Sequence, residues 1–305
     1  ALLLLAFCWD GSLGRIDVAV RGAVEAPFFV LGTTRPDEWR KSIRSRPAPW
    51  AELATDRVIV SVPSRVVRSL DNPEEVLEVW NKVLDACADL AARPLRRERP
   101  ERYVADEQIS AGYMHSGYPI MTHLDAAESM VSKERLLAGN WGLFHEMGHN
   151  HQSGDWTFDG AGEVTVNLFS LYVCETVCRL KGPGHPAVAM GKARDEVYRK
   201  YAATGPDFNK WKSDPFLALT MYVQLREGFG WDAFRKVFSE YRTLPAAERP
   251  KTDDQKRDQW LVRLSRTVNR NLGPFFQAWG VPTSEPARKS IADLPAWMPE
   301  GFPPG

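Results

Sequence analysis

Residues 145–149 of this chain read His-Glu-Met-Gly-His. Positions i and i+4 of an α-helix share one face, so His145 and His149 can hold a single metal ion between them. Glu146 sits about 100° further round the axis, close enough to take a proton from water at the ion without being a ligand itself. Two imidazoles, an adjacent carboxylate and an open coordination position are the parts of a zinc hydrolase. The motif lies among Leu143, Phe144, Met147 and Gly148, which argues against a plain solvated helix. Three of the six histidines fall between 145 and 151, which strengthens the metal reading.

A catalytic zinc takes three protein ligands and leaves one position for water. The pattern H-E-x-x-H-x-x-G-x-x-H would need Gly at 152 and His at 155, but these positions hold Gln152 and Asp155. His151 is two residues past His149 and points off the shared face if the helix continues. Asp155 and Asp159 stay open as donors. Glu163 is the preferred third ligand. It follows Gly160 and Gly162, which let the chain reverse, and it opens a second helix. Asn167 is four residues further on, on the same face as Glu163. It is expected to orient Glu163 or a histidine, or to touch substrate.

These groups need elements to carry them. Arg57–Val62 is rich in valine and reads as a strand, as do the apolar stretches of 18–30 around Gly22 and Pro27. Asn72 followed by Pro73, Glu74 and Glu75 marks a helix start, and the apolar spacing that follows predicts a helix to about Ala92. Tyr103–Ser110 reads as a strand. The metal helix is expected over Asn140–His151, and a further helix opens at Glu163. Downstream, helices are predicted over 216–226, 231–241, 253–268 and 274–279. The C-terminal stretch from Leu294 reads as a surface tail. The order predicts an α+β, zincin-like fold: a sheet-bearing N-terminal half and a mainly helical C-terminal half, with the active-site cleft between them. Residues 1–22 are expected to form an N-terminal strand segment, the end of a preceding domain. Residues 23–300 are expected to form one peptidase domain, with subdomains of about 23–152 and 153–300.

The 39 basic and 39 acidic side chains of the 305 residues cancel, which gives no reason to expect nucleic acid as a partner. No window approaches the ~20 apolar residues of a membrane helix, and Ala1–Phe7 is too short to span and lacks the charged start of a signal peptide. Arg93, Arg96, Arg97, Arg99 and Arg102 read as a solvated basic loop. Cys174 and Cys178 read as buried thiols, because a disulfide within a helix would need unusual geometry.

The segment Trp141–Gln152 (WGLFHEMGHNHQ), followed by Gly162–Asn167 (GEVTVN), resembles the enhancin-like, mucin-targeting zinc peptidases, family M60, a gluzincin group. Ala26–Gly32, Ala48–Leu53, Ser110–Pro119 and Phe229–Trp231 are similar to the same domain. The likeness therefore covers most of the chain, from about 20 to 300. It implies zinc at His145, His149 and Glu163, with Glu146 as general base. It also implies glycoprotein or mucin substrates and a secreted or cell-surface setting. Animal relatives include channel-associated scaffold proteins, so a non-catalytic zinc-binding interaction or adhesion module is the alternative. A gluzincin aminopeptidase is a third reading, but no G-x-M-E-N run is present to anchor a free N-terminus.

Oxyanion stabilisation usually draws on a further donor. His115, Tyr118 and Tyr222 are the residues considered, with His115–Tyr118 on the cleft rim. Eleven tryptophans are many for this length, and an indole face can stack on a sugar. Trp156, in the loop between ligands, and Trp141, one turn before His145, are the candidates.

Overall fold

The computed structural model describes residue 17 and residues 19–300. Cys8 and most of the expected opening strand segment lie outside the described residues. Six strands fall between 28 and 123: β1 (Phe28–Val30), β2 (Trp50–Ala54), β3 (Val58–Pro63), β4 (Glu101–Asp106), β5 (Met114–His115) and β6 (Ile120–His123). Twelve α-helices are described: α1 (Pro36–Lys41), α2 (Pro73–Leu90), α3 (Ala127–Met130), α4 (Lys133–Leu137), α5 (Trp141–His149), α6 (Gly162–Thr176), α7 (Gly191–Ala203), α8 (Phe208–Ser213), α9 (Pro215–Thr243), α10 (Asp253–Val268), α11 (Gly273–Ala278) and α12 (Glu285–Lys289). The class is α+β, as expected, with every described strand before residue 124.

The chain divides into two compact units, each discontinuous in sequence. Among the described residues, the first comprises those up to 80 and 99–133, the second 81–98 and 134–300. The first unit is built on one mixed sheet in the order β1-β2-β3-β4-β6-β5. β3 runs parallel to β4, and β4 parallel to β6, while β5 pairs antiparallel with β6 and forms an edge. The valines of β3 are buried, as suits an inner strand. Trp80 packs on Tyr103 with ring centroids 4.6 Å apart, and its indole N–H donates to the Met130 carbonyl at 2.9 Å. Among the described residues before 30, only Phe28–Val30 pairs as a strand.

The second unit is helical. In α6 every residue from Val164 to Cys174 is buried, so this helix is enclosed rather than amphipathic. The sequence predicts two helices where α9 runs on as one element; the separation survives as a break at Gly230, whose φ of 71° is outside the helical region. The residues before Trp297 form a bridge between Ala296 and Asn271, and the Trp297 ring lies 4.6 Å from that of Phe229.

Helices α5 and α6 approach closely because residue 148 is glycine. A Cβ there would come 2.9 Å from Phe169 Cβ and 3.0 Å from the Val166 carbonyl oxygen. Gly148→Ala gains helix propensity of about 0.5–1 kcal/mol but forces two buried helices apart, at about 1–3 kcal/mol. The net expectation is a lower urea midpoint. An unchanged or higher midpoint would contradict the close packing.

Candidate metal centre

The centre is assembled within the second unit from α5, α6 and the loop that joins them. Asn140 caps α5 by accepting from the Leu143 amide at 3.3 Å. This starts the helix so that His145 and His149 fall one turn apart on a common face. The helix ends at His149, and Gly160, with a φ of 79°, turns the chain into α6. Glu163 is then in the first turn of α6.

The donor atoms converge. His145 Nε2 lies 3.0 Å from Glu163 Oε2 and 3.1 Å from His149 Nε2, and His149 Nε2 is 3.5 Å from Glu163 Oε1. One ligand atom from each of the three residues lies within 4.8 Å of the others, the one such group of His, Cys, Asp and Glu among the described residues. A tetrahedral zinc with bonds of about 2.0–2.1 Å needs its donors about 3.3 Å apart. The observed separations bracket that value.

Two side-chain amides set the protonation of the rings. Asn167 donates from Nδ2 to the Glu163 carbonyl at 2.7 Å, so its Oδ1 is the atom facing His145 Nδ1 at 2.8 Å. That same oxygen accepts from Trp141 Nε1 at 3.1 Å. Gln152 donates from Nε2 to the Gly162 carbonyl at 2.8 Å and to Thr165 Oγ1 at 2.7 Å, which leaves its Oε1 to face His149 Nδ1 at 2.8 Å. An amide oxygen only accepts, so both Nδ1 atoms carry the hydrogen. In neutral rings both Nε2 atoms then present lone pairs to the same point. The donor set of two imidazole nitrogens and a carboxylate, with both rings oriented by partners, fits a divalent metal. Sequence spacing marks Asn167 as a partner. Gln152 is missed by it, because a residue beyond the end of α5 is recognisable only once the turn is known.

The electrostatics agree. The two imidazoles that face the Glu163 carboxyl, His145 first and then His149, hold it well below the usual carboxylate range. Burial of His149 works against charge, but its hydrogen bonds to Glu163 and Gln152 and the charges of Glu163 and Glu146 outweigh it, so its pKa is raised. The site therefore draws positive charge, and Glu146 acts on it. His151 behaves otherwise. It is fully buried, donates from Nδ1 to the Met147 carbonyl at 2.7 Å and faces Arg97 through Nε2 at 2.6 Å. Burial and the neighbouring Arg97 push its pKa down to about 3, so it is a neutral structural residue.

The basic run is not a solvated loop throughout. Arg93 donates to the Asn150 carbonyl at 2.8 Å, so Arg93 and Arg97 hold the C-terminal end of α5, where cations oppose the helix dipole. Arg102 lies in β4, on Glu52 and Ser61. Asp155 pairs with Arg249 and Asp159 with Lys212, each at 2.8 Å. Cys174 and Cys178 are free thiols, the first buried and the second half-buried.

His115 and Tyr118 belong to the first unit. His115 lies in the edge strand β5 with Nε2 3.0 Å from Ser110 Oγ, and Tyr118 is exposed beneath the Arg99 guanidinium, 3.6 Å from its ring centroid. Trp156 offers no face to a sugar: it is 1% exposed and stacked on Phe238 at 4.3 Å, because the interligand loop folds its indole into the helical core. Tyr222 is likewise buried, beside Trp211 and Trp260, and burial raises its pKa. Trp141 is half-buried beside His145.

A mixed sheet followed by a helical set bearing H-E-x-x-H and a downstream glutamate is the architecture of a metallopeptidase catalytic domain. The chain belongs to the family described as Peptidase M60, enhancin and enhancin-like, which matches residues 22–280. It is 41% identical over 302 residues to TRPM8 channel-associated factor 2 of Homo sapiens, covering 97% of this chain and 32% of that protein. It is 40% identical over 290 residues to the TRPM8 channel-associated factor homolog of Xenopus laevis, covering 94% and 32%. The chain thus spans about a third of the length of these relatives. Among solved structures, a functionally unknown conserved protein from Bacillus anthracis str. Ames superposes with a TM-score of 0.76 at 26% identity, covering 90% of this chain and 58% of that one. A metallopeptidase in complex with Tn antigen shares the fold, with a TM-score of 0.69 at 17% identity over 88% of this chain and 56% of that one.

His151→Ala is expected to destabilise the second unit, because it removes the hydrogen bond to the Met147 carbonyl and one contact of Arg97. A loss of about 1–3 kcal/mol should appear in chemical denaturation. No change would mean that the clamp on α5 carries little.

Proposed function

We propose that this chain is a zinc-dependent endopeptidase that hydrolyses glycoproteins, with mucin-type O-glycosylated chains as its substrates. The observation that carries the reading is the pair of Nε2 lone pairs and the Glu163 carboxylate facing one point, with Glu146 beside them. His145, His149 and Glu163 would hold the metal. Bound there, zinc would bring the pKa of water toward ~7 and polarise the scissile carbonyl. Glu146 accepts the proton of the attacking water and passes it to the leaving amine. Asn167 and Gln152 keep both imidazoles in the tautomer that leaves Nε2 free. His115 and Tyr118 are proposed to contact substrate from the edge strand, where an extended peptide can add to a sheet.

The glycoprotein preference draws support from family membership and from a neighbour of the same fold held in complex with Tn antigen. It goes with a secreted or cell-surface setting. The second reading is a zinc-binding interaction module without catalysis; it is favoured by relatives named for association with a channel. The presence of Glu146 beside the intact ligand set supports the catalytic one.

Incubation of the purified protein with an O-glycosylated mucin, followed by mass mapping of the products, is expected to give internal cleavage that a chelator abolishes and zinc restores. Glu146→Gln should retain the metal and lose hydrolysis. Metal-dependent binding of mucin without cleavage by the parent would favour the interaction module. Asn167→Ala and Gln152→Ala should each weaken zinc affinity about 10- to 100-fold in competition against a chelator. Unchanged affinity would contradict their orienting role.

A further inference from the structure

Helix α6 does not end in a regular turn. It is helical to Thr176, with Val177 as its C-cap. Beyond that point the Cys178 amide donates to the Val173 carbonyl at 3.1 Å and the Leu180 amide to the Cys174 carbonyl at 3.0 Å, wider spans than the four residues of an α-helix. Arg179, between them, takes a φ of 57°. Cys174 and Cys178 therefore straddle the end of the helix. Inside a helix, Cβ atoms four residues apart are about 5–6 Å from each other, more than the roughly 3.5–4.5 Å that a disulfide spans. A cysteine beyond the helix end is not held to that spacing.

Both sulfurs lie against one turn. Gly139 closes it by donating to the Leu136 carbonyl at 3.0 Å, and Asn140, the cap of α5, follows directly. The Cys178 thiol donates to that same Leu136 carbonyl at 3.5 Å. A Cβ on Gly139 (φ 94°) would come 3.5 Å from Cys174 Sγ, and one on Gly184 (φ 77°) only 2.6 Å, so two glycine turns are laid against the Cys174 sulfur. The two thiols differ. Cys174 is buried and Cys178 half-buried. The Cys174 S–H donates to the Cys178 sulfur, the Gly139 amide does so too, and together they outweigh burial and hold the Cys178 thiol below its usual range. The same contact, with burial, pushes the Cys174 thiol up. The accessible sulfur is thus the one readier to ionise, and its neighbour keeps its proton.

We propose that Cys174 and Cys178 are a redox site that a hydroperoxide converts from dithiol to disulfide, and that closing it loosens the turn from which α5 starts. The site depends on no property of the metal centre. The Cys178 thiol gives up its proton, and the thiolate attacks one oxygen of hydrogen peroxide. The O–O bond breaks, a sulfenic acid forms on Cys178, and the departing hydroxide takes up the proton and leaves as water. The Cys174 sulfur then attacks the Cys178 sulfur. The S–S bond forms, the S–O bond breaks, and hydroxide leaves with the Cys174 proton as a second water. Each sulfur gives up one electron, and the peroxide takes two. In the disulfide neither sulfur carries a hydrogen, so the Leu136 carbonyl loses its bond from Cys178. Cys174 is the resolving partner, which keeps the first oxidation reversible.

The folded full chain is treated with equimolar hydrogen peroxide, then denatured in iodoacetamide, digested with trypsin and mapped by mass spectrometry. Both cysteines fall in one tryptic peptide, Leu136–Arg179. In the parent this peptide is expected to lose two hydrogens and to take no alkyl group, a change that dithiothreitol reverses, while the buried Cys87 is alkylated. In Cys174→Ser, Cys178 is expected to stop at the sulfenic acid, which dimedone captures. In Cys178→Ser, Cys174 is expected to stay a thiol. Amide exchange of Gly139, followed by NMR, is expected to be about threefold faster in the oxidised parent, the scale of one weak hydrogen bond. Two alkylated thiols in the parent peptide overturn the redox site. So do a sulfinic acid on Cys178 in the parent, and a disulfide to Cys87 or between two chains. Unchanged exchange at Gly139 overturns the link to α5. The parent alone decides both points, even if Cys174→Ser fails to fold.

Discussion

Two imidazole lone pairs held 3.1 Å apart repel each other unless a positive charge lies between them. The amide oxygens of Asn167 and Gln152 create this situation by claiming the Nδ1 hydrogen of each ring. The Glu163 carboxylate adds negative charge at the same point. Burial opposes charge on His149, but Glu163, Gln152 and Glu146 favour its protonated form, and its pKa rises. A divalent cation relieves the repulsion fully. Protons and metal therefore compete for one place, and metal affinity is expected to weaken as the solution becomes more acidic.

The surrounding structure serves to keep this arrangement from relaxing. The two amides act as crossed straps. Asn167, on α6, holds the ligand of α5, while Gln152, just beyond α5, holds its own His149 and the first turn of α6. Gly148 lets the helices come near enough for those straps to reach. From the 81–98 segment, Arg93 and Arg97 fix the far end of α5 through the Asn150 carbonyl and His151. Removing either amide leaves the ligand residues in place but frees its ring to turn.

Much of the centre was legible in the sequence because its geometry is local. The i, i+4 pair His145 and His149 needs only a helix, and the helix starts at its Asn140 cap. Glu163 and Asn167 needed one further assumption, that a helix opens after the glycines of the joining loop, and α6 does begin at Gly162. What escaped was decided by tertiary contact. Trp156 has the composition of a sugar platform, but Phe238 and Tyr241 enclose it. Arg93 and Arg97 read as solvated from their neighbours in sequence, while their partners lie more than fifty residues away. In the fold, valine-rich β3 and the Asn72–Pro73 helix start were plain, and the short strands β5 and β6 were not, because two to four residues carry no usable period.

The account is tested most directly by locating the metal. Crystals grown with zinc and measured on both sides of the zinc absorption edge should give an anomalous peak about 2.0–2.2 Å from His145 Nε2, His149 Nε2 and a Glu163 oxygen, with Asn167 and Gln152 still on the two Nδ1 atoms. A zinc-loaded crystal with no peak at that point, or with either ring bound through Nδ1, would contradict it.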